Sequence, residues 1–168
     1  MIWIKRNARV QKINRTAAIV SAAFLISVWA LVLIKVGSPR ILLYFADQKA
    51  SLIPSWLFLL GSFLFYGVCG ACVGAVLFCR AARKEVYKYK GAFFFSLSLA
   101  SGYLWYAAAF GSRFFVLATL MALAATFFLS VSAVCFYKVI PLTVIGMLFS
   151  LLWMIYLIIL SLFFFFFL

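Results

Sequence analysis

The sequence predicts an all-α membrane protein: one domain, residues 1–168, built as a bundle of five transmembrane helices. Three observations predict it. Five runs free of charged residues cover 16–34, 50–79, 91–112, 114–137 and 139–168, with lengths of 19, 30, 22, 24 and 30. A helix crossing a hydrocarbon core about 30 Å thick needs about 20 mostly apolar residues, because it rises about 1.5 Å per residue. The composition is 70% apolar and 10% charged, with a mean hydropathy of +1.26, whereas globular domains are roughly 45–50% apolar and 25% charged. Finally, the 15 basic residues fall almost entirely between the runs, where a water-soluble domain would spread charge over its outward helix faces.

The N-terminal segment carries Lys5, Arg6, Arg9, Lys12 and Arg15, followed by the apolar stretch Ala17–Ile34 of 18 residues. That exceeds the roughly 7–15 residues of a secretory signal core, and no small-x-small cleavage site follows, so a retained helix over 17–34 is expected. Gly37, Ser38 and Pro39 open the longest loop, which ends near Pro54. Within it, Ile41 to Phe45 is apolar but short, and reads as an interfacial turn of helix.

Helix two is expected over 55–78. Its small residues Gly67, Gly70, Ala71, Gly74 and Ala75 form a stripe, and Gly70-x-x-x-Gly74 permits close backbone approach to another helix, either within the chain or across a homodimer. Cys69-x-x-Cys72 has the spacing of a redox or metal motif, but its place in the middle of an apolar helix reads as two small packing residues. The segment Arg80–Lys90 forms a basic second loop. Helix three is expected over 91–110, with Ser98 and Gly102 as its small pair. Helix four, over 114–137, carries Ala118, Ala122, Thr126 and Ser130 at intervals of four, which predicts one small, weakly polar face. Helix five, over 139–162, has Pro141 in its first turn, where a missing N–H costs little. Gly146, Ser150, Trp153 and Leu157 share one side of it. Its run ends in Phe163–Phe167 and, at about 45 Å as a helix, exceeds the bilayer core, so tilt or a non-spanning tail is required. The one- or two-residue connections after helices three and four make consecutive helices antiparallel neighbours.

Charge then orients the bundle. Lys and Arg on alternate sides number 11 and 4, and the richer side belongs in the cytoplasm. The expected location is the bacterial cell membrane, with the N-terminus cytoplasmic and the C-terminus outside. The net charge of +13, which in a soluble chain would suggest nucleic acid, is accounted for by topology and by anionic lipid headgroups. There is no histidine, and the two acidic residues, Asp47 and Glu85, lie outside the runs. Metal catalysis, general acid–base pairs and intramembrane proton relays lack their side chains, so neither an enzyme nor a required cofactor is expected. A transporter is disfavoured for the same reason.

In the second half, Trp105, Phe110, Gly111, Arg113, Tyr137, Pro141, Leu142 and Trp153 have a spacing that resembles the tryptophan-rich sensory protein family, also called translocator protein or peripheral benzodiazepine receptor (TspO/MBR). The family pattern is Asn-x-x-Trp, then Phe-Phe-Gly-x-Arg after helix three, a Pro-Leu start to helix five, Pro-Tyr-x-x-Trp, and an Asn eight residues later. The chain follows it without a gap from Trp105 to Ser161. In the first loop, Tyr44, Lys49 and Pro54 match, and in helix two Tyr66 and Gly70 match if one residue is missing upstream. The departures are Gly102 and Ser161 where the family has Asn, Phe149-Ser150 in place of Pro-Tyr, and a bulky Leu157 at a position usually small and facing ligand. One tryptophan of the family's photochemical pair is absent, as is the C-terminal cholesterol-recognition pattern.

The resemblance implies a ligand-binding or sensory membrane protein whose bundle holds a flat apolar molecule, such as a tetrapyrrole (porphyrin or haem), a sterol or another lipid. The residues it nominates for ligand are Tyr44, Lys49, Tyr66, Trp105, Phe110, Trp153 and Leu157. For Trp105 and Trp153, ordinary packing or interface anchoring is the competing reading. The alternative function is a small interaction protein with a degenerate pocket, packing against partner membrane proteins through its glycine and alanine stripes.

Overall fold

The computed structural model describes residues 15–36, 55–79, 85–112 and 114–167. They form α1 (Arg15–Val36), α2 (Ser55–Leu77), α3 (Glu85–Tyr106) continued by a π-helical turn (Ala107–Ser112), α4 (Phe115–Val139) and α5 (Thr143–Phe167). All five helices are long and apolar enough to cross a membrane, and the described residues contain no strand. This fits a multi-pass integral membrane protein, because in lipid a helix satisfies its own backbone hydrogen bonds.

Neighbouring helices follow the order α1, α2, α5, α4, α3, with α3 returning to touch α2 and its π-turn to touch α1. The registers alternate in direction. Gly74 of α2 lies against Ala17 and Ser21 of α1, Gly70 against Ser21 and Ala22, and Gly67 against Ile26. The small stripe of α2 is therefore spent inside the chain, on α1. Between α2 and α5, Cys69 Sγ donates to Ser150 Oγ (3.1 Å) and Cys72 Sγ to the Thr143 carbonyl (3.8 Å), while Gly146 of α5 sits on Cys72 and Val68. The two thiols of the C-x-x-C pair thus each bond to α5, and both are free.

The helix limits differ from expectation at several ends, among them that of helix five, expected to stop at 162 but running to Phe167. Helix three begins at Glu85 rather than Gly91. Charges interrupt an apolar run, but they do not stop a helix that has already left the hydrocarbon. Glu85 suits the positive end of the helix dipole, and Lys88, buried along its stem, donates from Nζ to the Cys79 carbonyl at the end of α2 (2.9 Å). Helix four continues to Val139, where Lys138 sits 4.6 Å above the Tyr87 ring. Helix five starts at Thr143 instead of Val139, because the residue before a proline is pushed out of the α region: Ile140 has φ −131° and ψ 103°.

The face of α4 also departs from the stripe read in the sequence. Its buried residues are Ala118, Ala122, Ala125, Leu129, Ser132, Phe136 and Val139, alternating steps of four and three. A strict step of four advances about 40° per step around a helix of 3.6 residues per turn, so Thr126 and Ser130 drift off the seam. Their hydroxyls bond back to the Ala122 and Thr126 carbonyls. The α3–α4 seam is fastened instead by Ser98 Oγ to the Ala125 carbonyl (2.8 Å) and Ser132 Oγ to the Gly91 carbonyl (2.9 Å).

Lys88→Met, which keeps the stem but removes the ammonium, is expected to cost about 1–2 kcal/mol by stripping the Cys79 carbonyl, just past the end of α2, of its donor and the helix end of its cation. Thermal unfolding in mild detergent checks this, and Lys88→Arg should recover most of the loss.

Candidate functional site

The interior between α2, α3 and α5, away from the basic end, is a layer of aromatic rings centred on Phe58 of α2. Phe58 is fully buried, and its ring contacts Trp105 (6.4 Å between centroids), Tyr106 (6.3 Å), Phe110 (6.2 Å) and Trp153 (5.9 Å). Trp105 and Tyr106 close the end of α3. The π-turn adds a residue to that helical turn, and Phe110 lies within it, packed edge-on to Trp105 at 5.6 Å. Such turns recur at functional sites. Trp105 Nε1 donates to Ser161 Oγ of α5 (2.6 Å), which in turn donates to the Leu157 carbonyl (2.8 Å). Trp153 is half-buried, and its indole lies on Gly61, where no side chain larger than hydrogen fits.

Deeper in the bundle the rings carry hydroxyls. Tyr106 O–H accepts from Trp29 Nε1 of α1 (3.4 Å) and shares a hydrogen bond with Ser62 of α2 (3.1 Å). Trp29, Tyr66 and Tyr103 form a stack across α1, α2 and α3, each neighbouring pair 5.9 Å apart. Tyr156 packs against Trp153 at 4.9 Å. Among the described residues, the Tyr103 and Tyr156 hydroxyls are buried and have no hydrogen-bond partner. An unmet buried hydroxyl costs about 1–3 kcal/mol, and at membrane depth bulk water does not relieve it.

Of the residues nominated from sequence, Tyr44 and Lys49 lie outside the described residues, as do Arg113 and the Ile41–Phe45 segment. The structure brings Trp105, Phe110 and Trp153 together around Phe58. Tyr66 is buried in the tyrosine layer, and Leu157 is buried one turn before Ser161. Sequence reasoning missed Phe58, Ser62, Tyr103, Tyr106 and Tyr156. A signal existed: Phe58, Ser62 and Tyr66 are spaced by four, Tyr103 and Tyr106 flank Trp105, and Tyr156 follows Trp153 by three. Polar aromatics on one helix face are costly in lipid, so they point inward.

The arrangement offers stacking surfaces and neutral hydrogen-bond groups, and the described part of this layer contains no Lys, Arg, Asp or Glu. Compared with known proteins, the chain matches no family model, no curated protein and no solved structure.

Proposed function

We propose that the protein is a membrane ligand-binding or sensory protein of the TspO type, whose bundle interior receives a flat apolar molecule such as a tetrapyrrole or lipid. The observation that carries this reading is the pair of buried hydroxyls, Tyr103 and Tyr156, without a partner among the described residues and set among aromatic rings that include Trp153. A helix interface needs packing, not surplus donors; a binding site needs a few polar groups within apolar walls. The resemblance in spacing from Trp105 to Ser161 points the same way, as does the placement of Trp105, Phe110 and Trp153 on one ring. The basic end, formed by the start of α1, the end of α2 and the start of α3, would face the cytoplasm of a bacterial cell.

The alternative, an interaction protein, drew on the small-residue stripes. The glycines Gly67, Gly70 and Gly74 of the α2 stripe meet α1 within the chain, which counts against that stripe as a contact surface, while Thr126 and Ser130 of the α4 stripe lie off the α3–α4 seam. One feature favours it: the rings around Phe58 already touch, so a flat ligand must displace one of them.

Fluorescence titration of the detergent-purified protein with protoporphyrin IX, haem and a sterol tests the proposal. Saturable micromolar quenching that is lost in Trp153→Phe is the expected result. No saturation with any of the three would overturn it in favour of the interaction reading.

A further inference from the structure

A ligand entering the layer around Phe58 must displace a ring, and the rings differ in how firmly they are held. Phe58, Trp105, Tyr106 and Phe110 are buried, whereas Trp153 is half-buried. The indole N–H groups of Trp29 and Trp105 are each tied to a hydroxyl on another helix. That of Trp153 has no hydrogen-bond partner among the described residues. What seats the Trp153 ring is shape. Its six-membered ring lies on Gly61 of α2, in the space a Cβ would fill, with the Phe58 ring at 5.9 Å and the Tyr156 ring at 4.9 Å. Leu57 and Leu64, one turn to either side of Gly61, and Phe149, one turn before Trp153, are exposed, so the groove between α2 and α5 opens here on the lipid side. Hydrocarbon accepts an apolar ring as readily as a helix bundle does. Moving this indole outward therefore breaks no hydrogen bond and costs only its packing.

We infer that Trp153 is a displaceable plug: the seat made by Gly61, Phe58 and Tyr156 is a binding site open to the bilayer between α2 and α5, and it takes a neutral, planar, fused-ring molecule dissolved in the lipid, which replaces the indole. The class follows from the group replaced, a flat apolar bicycle. It follows also from the glycine floor, which leaves room for a ring face and none for a branched chain. A charged ligand would find no Lys, Arg, Asp or Glu among the described residues of the layer, and an unpaired charge there is costly. The inference rests on the ligand-binding reading above and adds the route of entry and the ring that yields. The quenching lost in Trp153→Phe is then loss of the reporter, with the seat intact.

The test uses the full chain in lipid nanodiscs and the probe 2-methoxynaphthalene, whose own fluorescence above that of empty nanodiscs reads binding. Labelling with 5-fluorotryptophan gives each indole a fluorine resonance, assigned for Trp153 and Trp105 by its loss in the Trp→Phe variants. Spin-labelled lipid broadens the indoles that reach the acyl chains. The expected result is saturable binding to the parent, with the Trp153 resonance broadened further when the probe is bound and that of Trp105 unchanged. Trp153→Ala should bind the probe about tenfold more tightly, because no plug has to leave first. Gly61→Ala should bind it about tenfold more weakly, because the methyl group fills the seat. Saturable binding that leaves the Trp153 resonance unchanged, or that weakens in Trp153→Ala, overturns the plug and leaves ligand binding standing. No saturable binding of the probe, with protoporphyrin IX or a sterol still bound, does the same. Failure of the probe, the porphyrin and the sterol together overturns both readings.

Discussion

Gly70→Ala is expected to lower the stability of the protein by about 3 kcal/mol, at or above the top of the range for overpacked cores. A methyl group at this position would stand 2.5 Å from Ala22 Cα and 2.6 Å from the Ser21 carbonyl oxygen. Both are backbone atoms of α1, so no side chain can swing aside and the two helices must separate. That seam is the main attachment of α1, whose buried residues number three in the described chain, Leu25, Trp29 and Leu33. Separation would also pull Trp29 from Tyr106 and from the stack on Tyr66. Gly74→Ala, meeting the Ala17 carbonyl and Ser21 at 2.6 Å, should act in the same direction, and the two effects should couple because they open one interface. Gly111→Ala is the control: nothing among the described residues lies within 4 Å of its new methyl, and a change within about 0.5 kcal/mol is expected. Equilibrium unfolding in mild detergent measures all three. Parent-like stability of Gly70→Ala would show that α1 does not pack on this face.

Trp105→Ala should cost about 3–5 kcal/mol, the range for removing a large buried aromatic. The side chain is fully buried and touches Phe58, Tyr106 and Phe110. Its indole N–H ties α3 to Ser161 of α5. Trp105→Phe separates the two contributions. It retains most of the ring and loses the hydrogen bond, for about 1 kcal/mol, and Ser161 keeps its bond to Leu157. Trp153→Phe, at a half-buried position, should change stability least while changing ligand quenching most. The opposite ranking of Trp105 and Trp153 in unfolding and in titration is what separates a packing tryptophan from a lining one.

Helix three shows the limit of charge as a guide. The run read from the sequence starts at Gly91, yet the helix starts at Glu85, because Lys88 and Lys90 can be helical once they reach the interface, and Lys88 finds a carbonyl there. Pro141 misled in the opposite direction: it marks a turn between α4 and α5 rather than the first turn of a helix begun at Val139. On α4 the small residues were visible, but the choice between a step of four and a four–three alternation depends on how α3 lies along it.

The candidate site divides in the same way. Trp105, Phe110 and Trp153 stand out in a sequence because they are rare, large and regularly spaced. Phe58 does not, being one of 21 phenylalanines, although it is the ring on which the others meet.

By itself the sequence determined five spans, their antiparallel succession through short connections, and the basic and non-basic ends. Those follow from the length of apolar runs against the thickness of a bilayer and from where charge can reside. Only the tertiary structure decided that α2 turns Gly67, Gly70 and Gly74 to α1, and that Tyr106 meets residues 77 and 44 positions away while Trp105 meets one 56 away. The physical reason is the solvent. In water a hydrophobic stripe marks the buried side of a helix, but lipid accepts an apolar side chain as readily as the bundle does. The rotation of each helix is therefore set by close packing and by the few polar groups that need partners.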